Sequence, residues 1–164
     1  MADTILQNYE QVCYGAPGLS MHRAKAFPII SSGVATRTLN AKDAGAVCCF
    51  DVASGVTYTL PPPVPGMTFT FVTSVTITSG SAKVVTDSAT TFLLGAMSLV
   101  NNGATTAQAF PANGTTIRSV NGNGTTTGGI AGDTYTLTAI STTQWLVSGV
   151  MVNSGTAATP FATS

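Results

Sequence analysis

Ionic side chains are what this sequence has least of. Six Lys and Arg are matched by six Asp and Glu, so charged residues make up 7% of the 164 and the formal net charge is zero, against roughly 25% charged in ordinary soluble domains. Such a chain cannot build a strong basic field, which excludes electrostatic capture of nucleic acid or of an anionic membrane. The single histidine, His22, cannot make a metal cluster alone, and the three cysteines, Cys13, Cys48 and Cys49, have no zinc-ligand spacing. Their odd number argues against a disulfide framework and for free thiols in a reducing cytoplasm. No run of 18 apolar residues is present, so no membrane-spanning helix is expected. "MADTILQNYEQ" lacks the basic start and apolar core of a secretory signal.

What is present is Thr, Ser, Asn and Gly in alternation with apolar residues. In "GVTYTLPPPVPGMTFTFV", Val56, Tyr58 and Leu60 share one side of a strand, and Met67, Phe69 and Phe71 share one side of another, with threonines between. Pro61, Pro62, Pro63 and Pro65 cannot donate to a ladder, so the strand must stop at Leu60. Three consecutive prolines favour a stiff extended bridge, and Pro65-Gly66 suits the centre of a type II turn. "AVCCFDV" reads as a strand with Cys48 beside Phe50 inside and Cys49 on the face of Asp51. Asn102-Gly103 and Asn113-Gly114 predict two-residue turns in a meander from about 97 to 120. "DTYTLTAI" and "TQWLVSGV" predict a hairpin through Ser141–Thr143.

These patterns predict an all-β fold, an antiparallel β-sandwich of jelly-roll-like form. Three regions are expected: an irregular N-terminal arm over 1–35 with one short helix near 4–12, the sandwich over 36–152, and a loose tail over 153–164. The arm holds Asp3, Glu10, Arg23, Lys25 and His22. An uncharged, hydroxyl-rich surface with no net charge favours association, so an oligomer or a subunit of a larger assembly is expected.

Catalytic chemistry is hard to find. His22 lies beside Arg23 in the arm, a poor place to pre-organise a general base. Asp51, Asp87 and Asp133 are the carboxylates beyond the arm and the Asp43 turn. Each sits at a strand end or turn, where aspartate commonly bonds local backbone. A carboxylate-pair hydrolase needs two of them within reach of one bond. "NGNGTTTGG" lacks the lysine and helix of a phosphate loop. No cofactor, no metal and no enzyme activity is expected. The Asn-Gly-Thr triplets at Asn113 and Asn123 read as turns. Paired threonines such as Thr68 and Thr70 suggest an ice-binding array, but that needs a fixed solenoid period, and their spacing is irregular.

Two segments carry a resemblance. "RTLNAKDAGAVCCFDVASGVTYTLPPPVPGMTFTFV" and "AGDTYTLTAISTTQWLVSG" resemble a pattern in virion proteins of tailed phages, covering about residues 37–149. Among these the chain is most similar to capsid decoration, or cement, proteins. The resemblance implies a homotrimer seated on the capsid exterior, with the major capsid protein as partner and a terminal arm as anchor. Tyr9, Tyr14, His22, Arg23, Lys25 and Phe27 are the expected capsid-binding positions, because aromatic and arginine side chains are common anchors. Phe69, Phe71, Tyr135 and Trp145 are expected in the core or at the trimer interface. The alternative is a receptor- or glycan-binding tip or spike, with Trp145 or the 121–132 loop exposed.

Overall fold

The computed structural model describes residues 13–14, 20–21, 28–31 and 33–164, with backbone alone at 13–14 and 20–21. The expected helix near 4–12 lies outside the described residues. Strands β1 (Cys13–Tyr14) and β2 (Ser20–Met21) pair with each other. Twelve further strands form two sheets: β3 (Ile29–Ser31), β4 (Thr36–Thr38), β5 (Val47–Phe50), β6 (Val56–Thr59), β7 (Thr68–Thr73), β8 (Ala82–Val85), β9 (Phe92–Asn101), β10 (Ala107–Asn113), β11 (Ser119–Gly122), β12 (Thr134–Ala139), β13 (Gln144–Asn153) and β14 (Phe161–Ala162).

One sheet has seven strands in the order β10-β9-β13-β12-β7-β5-β3, and the other five in the order β14-β11-β8-β6-β4. The all-β sandwich expected from the alternation is therefore what the chain forms. Its wiring differs from an antiparallel jelly roll. From β3 to β8 the chain alternates between the sheets strand by strand. Strands adjacent in a sheet then run the same way: β3, β5 and β7 are parallel, as are β4, β6 and β8. These are three short coils of a solenoid-like wind, with unequal connections that conceal any repeat in the sequence. From β9 on, antiparallel pairs dominate, apart from the parallel β9–β13 ladder.

The proline segment is one of these crossings, carrying the chain from β6 in the smaller sheet to β7 in the larger. The Leu60 N–H donates to Val85 O (2.9 Å). Pro61 and Pro63 are buried, while Pro62 is exposed. The Met67 N–H donates to Val64 O (3.0 Å) and Gly66 has φ +94°, the signature of the expected type II turn.

Two local expectations fail. Neither Asn102 nor Asn113 has positive φ, so neither opens a mirror-image two-residue turn. Residues 102–106 form a longer loop between β9 and β10. Beyond Asn113 the chain leaves the sheet altogether, because β11 pairs with β8 and β14. Asn113 works instead through its side chain: Oδ1 accepts the N–H groups of Thr115 (3.0 Å) and Thr116 (2.9 Å). Asn123 repeats this with Thr125 and Thr126, both at 2.9 Å. The expected loose tail is also docked. β14 pairs with β11, Phe161 is buried, and Ser119 Oγ donates to Ser164 O (2.8 Å).

The core lies between the sheets. Phe69, Phe71, Leu137, Trp145 and Val147 from the larger sheet meet Tyr58, Val84, Val120 and Phe161 from the smaller. Phe71 stacks on Tyr135 at 5.4 Å between centroids and meets Tyr58 edge-on at 5.7 Å.

Candidate functional site

Three of the four described aspartates, Asp43, Asp51 and Asp133, are held by hydrogen bonds of their own, and Asp87 has a buried Oδ1 without a hydrogen-bond partner. Asp43 Oδ2 accepts the Asn40 N–H (2.9 Å) beside a single 3-10 turn. Asp51, just beyond β5, accepts a hydrogen bond from Ser31 Oγ on β3. Asp87 lies in the β8–β9 crossing. Asp133 is fully buried at the start of β12, as its place before "TYTL" suggested. Its Oδ2 accepts the Gly129 N–H (2.6 Å) and its Oδ1 the Val152 N–H (2.7 Å), pinning the glycine-rich loop to β13. Burial pushes its carboxyl up to about 6, and those backbone bonds, with one to Ile130, only partly offset the rise. The carboxylate thus serves as a backbone clamp. Among the described residues, no group of three His, Cys, Asp or Glu could hold a metal ion.

The loop itself is packed rather than open. A Cβ on Gly124 (φ +80°) would stand 1.8 Å from Ile77 O, so glycine is required there by close approach as well as by backbone conformation. The cysteines divide as the alternation indicated. Cys48 is buried, its thiol pushed up to about 12 chiefly by burial and then by neighbouring Cys49; Cys49 is half-buried on the outer side, its thiol also raised by burial and by Asp51. Such raised thiols are poor nucleophiles.

Of the expected contact positions, Tyr9, His22, Arg23, Lys25 and Phe27 lie outside the described residues, and for Tyr14 only the backbone in β1 is described. Phe69, Phe71, Tyr135 and Trp145 are all in the core, at most 2% exposed. A Trp145 binding platform is therefore absent, since that ring is packed 5.9 Å from Phe69.

The feature that sequence reasoning missed is the outer face of the seven-stranded sheet. Register places one row across it: Ile29, Val47, Thr70, Thr136, Ser148, Ala96 and Pro111. The neighbouring row reads Ser31, Cys49, Val72, Thr134, Val150, Ser98 and Ala109. A third brings Thr68 opposite Thr138, with their hydroxyls 3.3 Å apart, then Leu146 and Leu94. None of these strand positions carries Asp, Glu, Lys, Arg or His; Asp51 stands at one corner beside Ser31. The face is threonine-rich at its centre, on β7 and β12, and aliphatic on both flanks. Each strand's outward alternation was readable, but not the pairing that gathers those residues onto one surface.

A smaller feature lies at the loop end of the β9–β10 hairpin. A cavity of about 340 Å³ is lined by Leu99, Asn101, Thr106, Gln108, Asn153 and Ala157, among others. Asn153 donates from Nδ2 to Gly155 O (2.5 Å), while its buried Oδ1 has no protein partner.

No family model matches this chain, and no match was found among curated proteins or among solved structures.

Proposed function

We propose that this chain is a structural protein of a tailed-phage virion, one that binds the outside of an assembled capsid as a homotrimer and stabilises it. Of the arm expected over 1–35, Ile29–Ser31 pair with β5 as strand β3, so residues 1–27 serve as the anchoring arm, with the major capsid protein as the partner. The observation that carries this reading is the role of the phage-like segments. Their residues build the proline crossing, the Asp133 clamp and the β12–β13 hairpin. They specify a scaffold, and the outer face of its larger sheet is broad and carries no ionic side chain at its strand positions.

The stabilising mechanism is mass action. A protein that binds the assembled shell but not its separated subunits favours assembly by about 2.7 kcal/mol per site at a free concentration one hundred times Kd. Joining three arms in one trimer raises the effective concentration of the second and third contacts once the first is made.

The test is co-sedimentation of the full chain with expanded, undecorated heads of the virus that encodes it, followed by thermal melting of those heads. Saturable binding and a higher melting temperature are expected. Heads that neither bind the protein nor melt later would overturn the proposal. Removing residues 1–27, which spares β3, is expected to abolish binding while leaving the β-sheet circular dichroism intact.

A second reading, a glycan- or receptor-contacting tip, draws on the amide-lined cavity at the loop end of the β9–β10 hairpin. Amides at Asn101, Gln108 and Asn153 are suited to sugar hydroxyls. A glycan array with no hit, together with no binding to host cells, would eliminate it.

A further inference from the structure

We propose that the outer face of the seven-stranded sheet is where copies of this chain pack on one another. This rests on the homo-oligomeric part of the function proposed above and identifies the surface that part requires.

Three observations support a second copy as occupant. First, the exposed apolar side chains are concentrated there. Of eight large hydrophobic residues exposed among those described, Ile29, Val100, Leu146 and Val150 all project from this face. Ile29 stands on one flank and Val100, Leu146 and Val150 on the other, and apolar exposure gathered on one face marks contact surfaces. The smaller sheet's outer face instead carries Lys83, aligned with Thr57 and Asn121.

Second, the chemistry is its own complement. A hydroxyl is both donor and acceptor, so Thr70, Thr134 and Thr136 can pair with the same groups on another copy. With no ionic side chain at the face's strand positions, self-contact meets no like-charge repulsion and buries no unpaired charge there. A charged partner surface would have to strip its ions of water against a face with no counter-charge.

Third, the size is sufficient. Seven strands span roughly 29 Å, at about 4.8 Å between neighbours, and β9 and β13 run to about 33 Å each. The projected area is on the order of 600–800 Å², so a copy that meets two neighbours through this face commits in total about the roughly 800 Å² that one partner gives to a stable interface.

The two aliphatic flanks suit a closed ring. Contacts around a three-fold axis join two different patches of one surface. Leu146 and Val150 on one flank would meet Ile29 and Val47 on the next copy, with the threonine centre toward the axis.

The experiment is sedimentation velocity on the full chain, alone and with Ile29→Lys or Leu146→Lys; Thr38→Lys on the other sheet is the control. All three side chains point to solvent in the single chain, so folding is expected to survive, as read by circular dichroism. The wild type and Thr38→Lys should sediment at about three times the 16.6 kDa chain mass, and the two face variants at one. Alkylation of Cys49, which lies on this face, gives a readout without any substitution: it should be slow in the oligomer and speed up on dilution. Face variants that remain oligomeric, or Cys49 labelling equally fast in oligomer and monomer, would overturn this surface and leave the homotrimer reading standing. A monomeric wild type would overturn both. A monomer that shields Cys49 only on capsids would assign the face to the capsid protein instead.

Discussion

Two buried tyrosines on facing sheets make opposite contributions. Tyr58 reaches from the smaller sheet to the backbone of the larger, where its hydroxyl donates to Cys49 O (2.9 Å) with Ile30 O at 3.3 Å. Tyr135 is packed against Phe71, but its buried hydroxyl has no protein partner. Removing a satisfied hydroxyl strands its acceptors, whereas removing an unsatisfied one relieves a desolvation cost of about 1–3 kcal/mol. Tyr58→Phe should lower stability by about 1–2 kcal/mol, and Tyr135→Phe should leave it unchanged or raise it. Chemical denaturation midpoints of the two variants measure the contrast. Asp133 adds a pH dependence of definite sign. Its carboxyl is raised from 3.8 unfolded to about 6 folded, so the folded state holds the proton more tightly. Its contribution is fully present below about pH 4 and is lost as pH rises through 6. In Asp133→Asn, which carries no titrating proton, the gain in melting temperature between pH 7.5 and pH 5 should shrink. The variant should also be less stable at both values, since one amide oxygen cannot accept from both Gly129 and Val152.

At the scale of elements, close approach sets the tolerance. A Cβ on Gly149 in β13 would lie 2.4 Å from the Cβ of Tyr135 on β12. Gly149→Ala must therefore part the β12–β13 ladder or displace the stacked ring, and a loss of several kcal/mol, read as insoluble or molten protein, is expected. Removing residues 160–164 should also destabilise the fold, because β14 covers one edge of the smaller sheet and buries Phe161. That edge shows where sequence reasoning reached its limit. β5, β6, β7, β12 and β13 were legible because each pairs a clean alternation with a turn or breaker. β14 is only two residues long, and nothing in "TPFATS" distinguishes a docked strand from a frayed end. Asn113-Gly114 misled for a similar reason: side-chain acceptance of backbone N–H groups makes Asn as useful in a crossing as in a hairpin. Trp145, Tyr135, Phe69 and Phe71 could be read only as core or interface residues, and it took the second sheet to place them in the core. The parallel ladders among β3 to β8 join residues 18 to 26 apart in sequence, and the β9–β13 ladder joins residues 52 apart, beyond the reach of local patterns.

For the whole molecule, scarcity of charge becomes a statement about conditions. Contacts between exposed ions weaken as salt shortens the Debye length to about 3 Å at 1 M. An assembly joined through threonines and aliphatic side chains lacks that dependence. Its sedimentation coefficient should be the same in 50 mM and 1 M sodium chloride, and a trimer that dissociates at high salt would point to ionic contacts elsewhere. The same scarcity explains why the overall organisation was only partly readable. Charge usually marks which sheet face meets water, and here neither face is well marked.

The interleaved first half has one more consequence. Because β3 to β8 enter the two sheets by turns, neither sheet can lift away while the connections between them hold. A single protease cut in the 74–81 connection would leave two fragments laced together by ladders on both sides, and they should co-migrate until denaturant is added. A protein laced in this way can lose a peptide bond and still keep its fold, and on the shell proposed for it a nicked copy should stay bound.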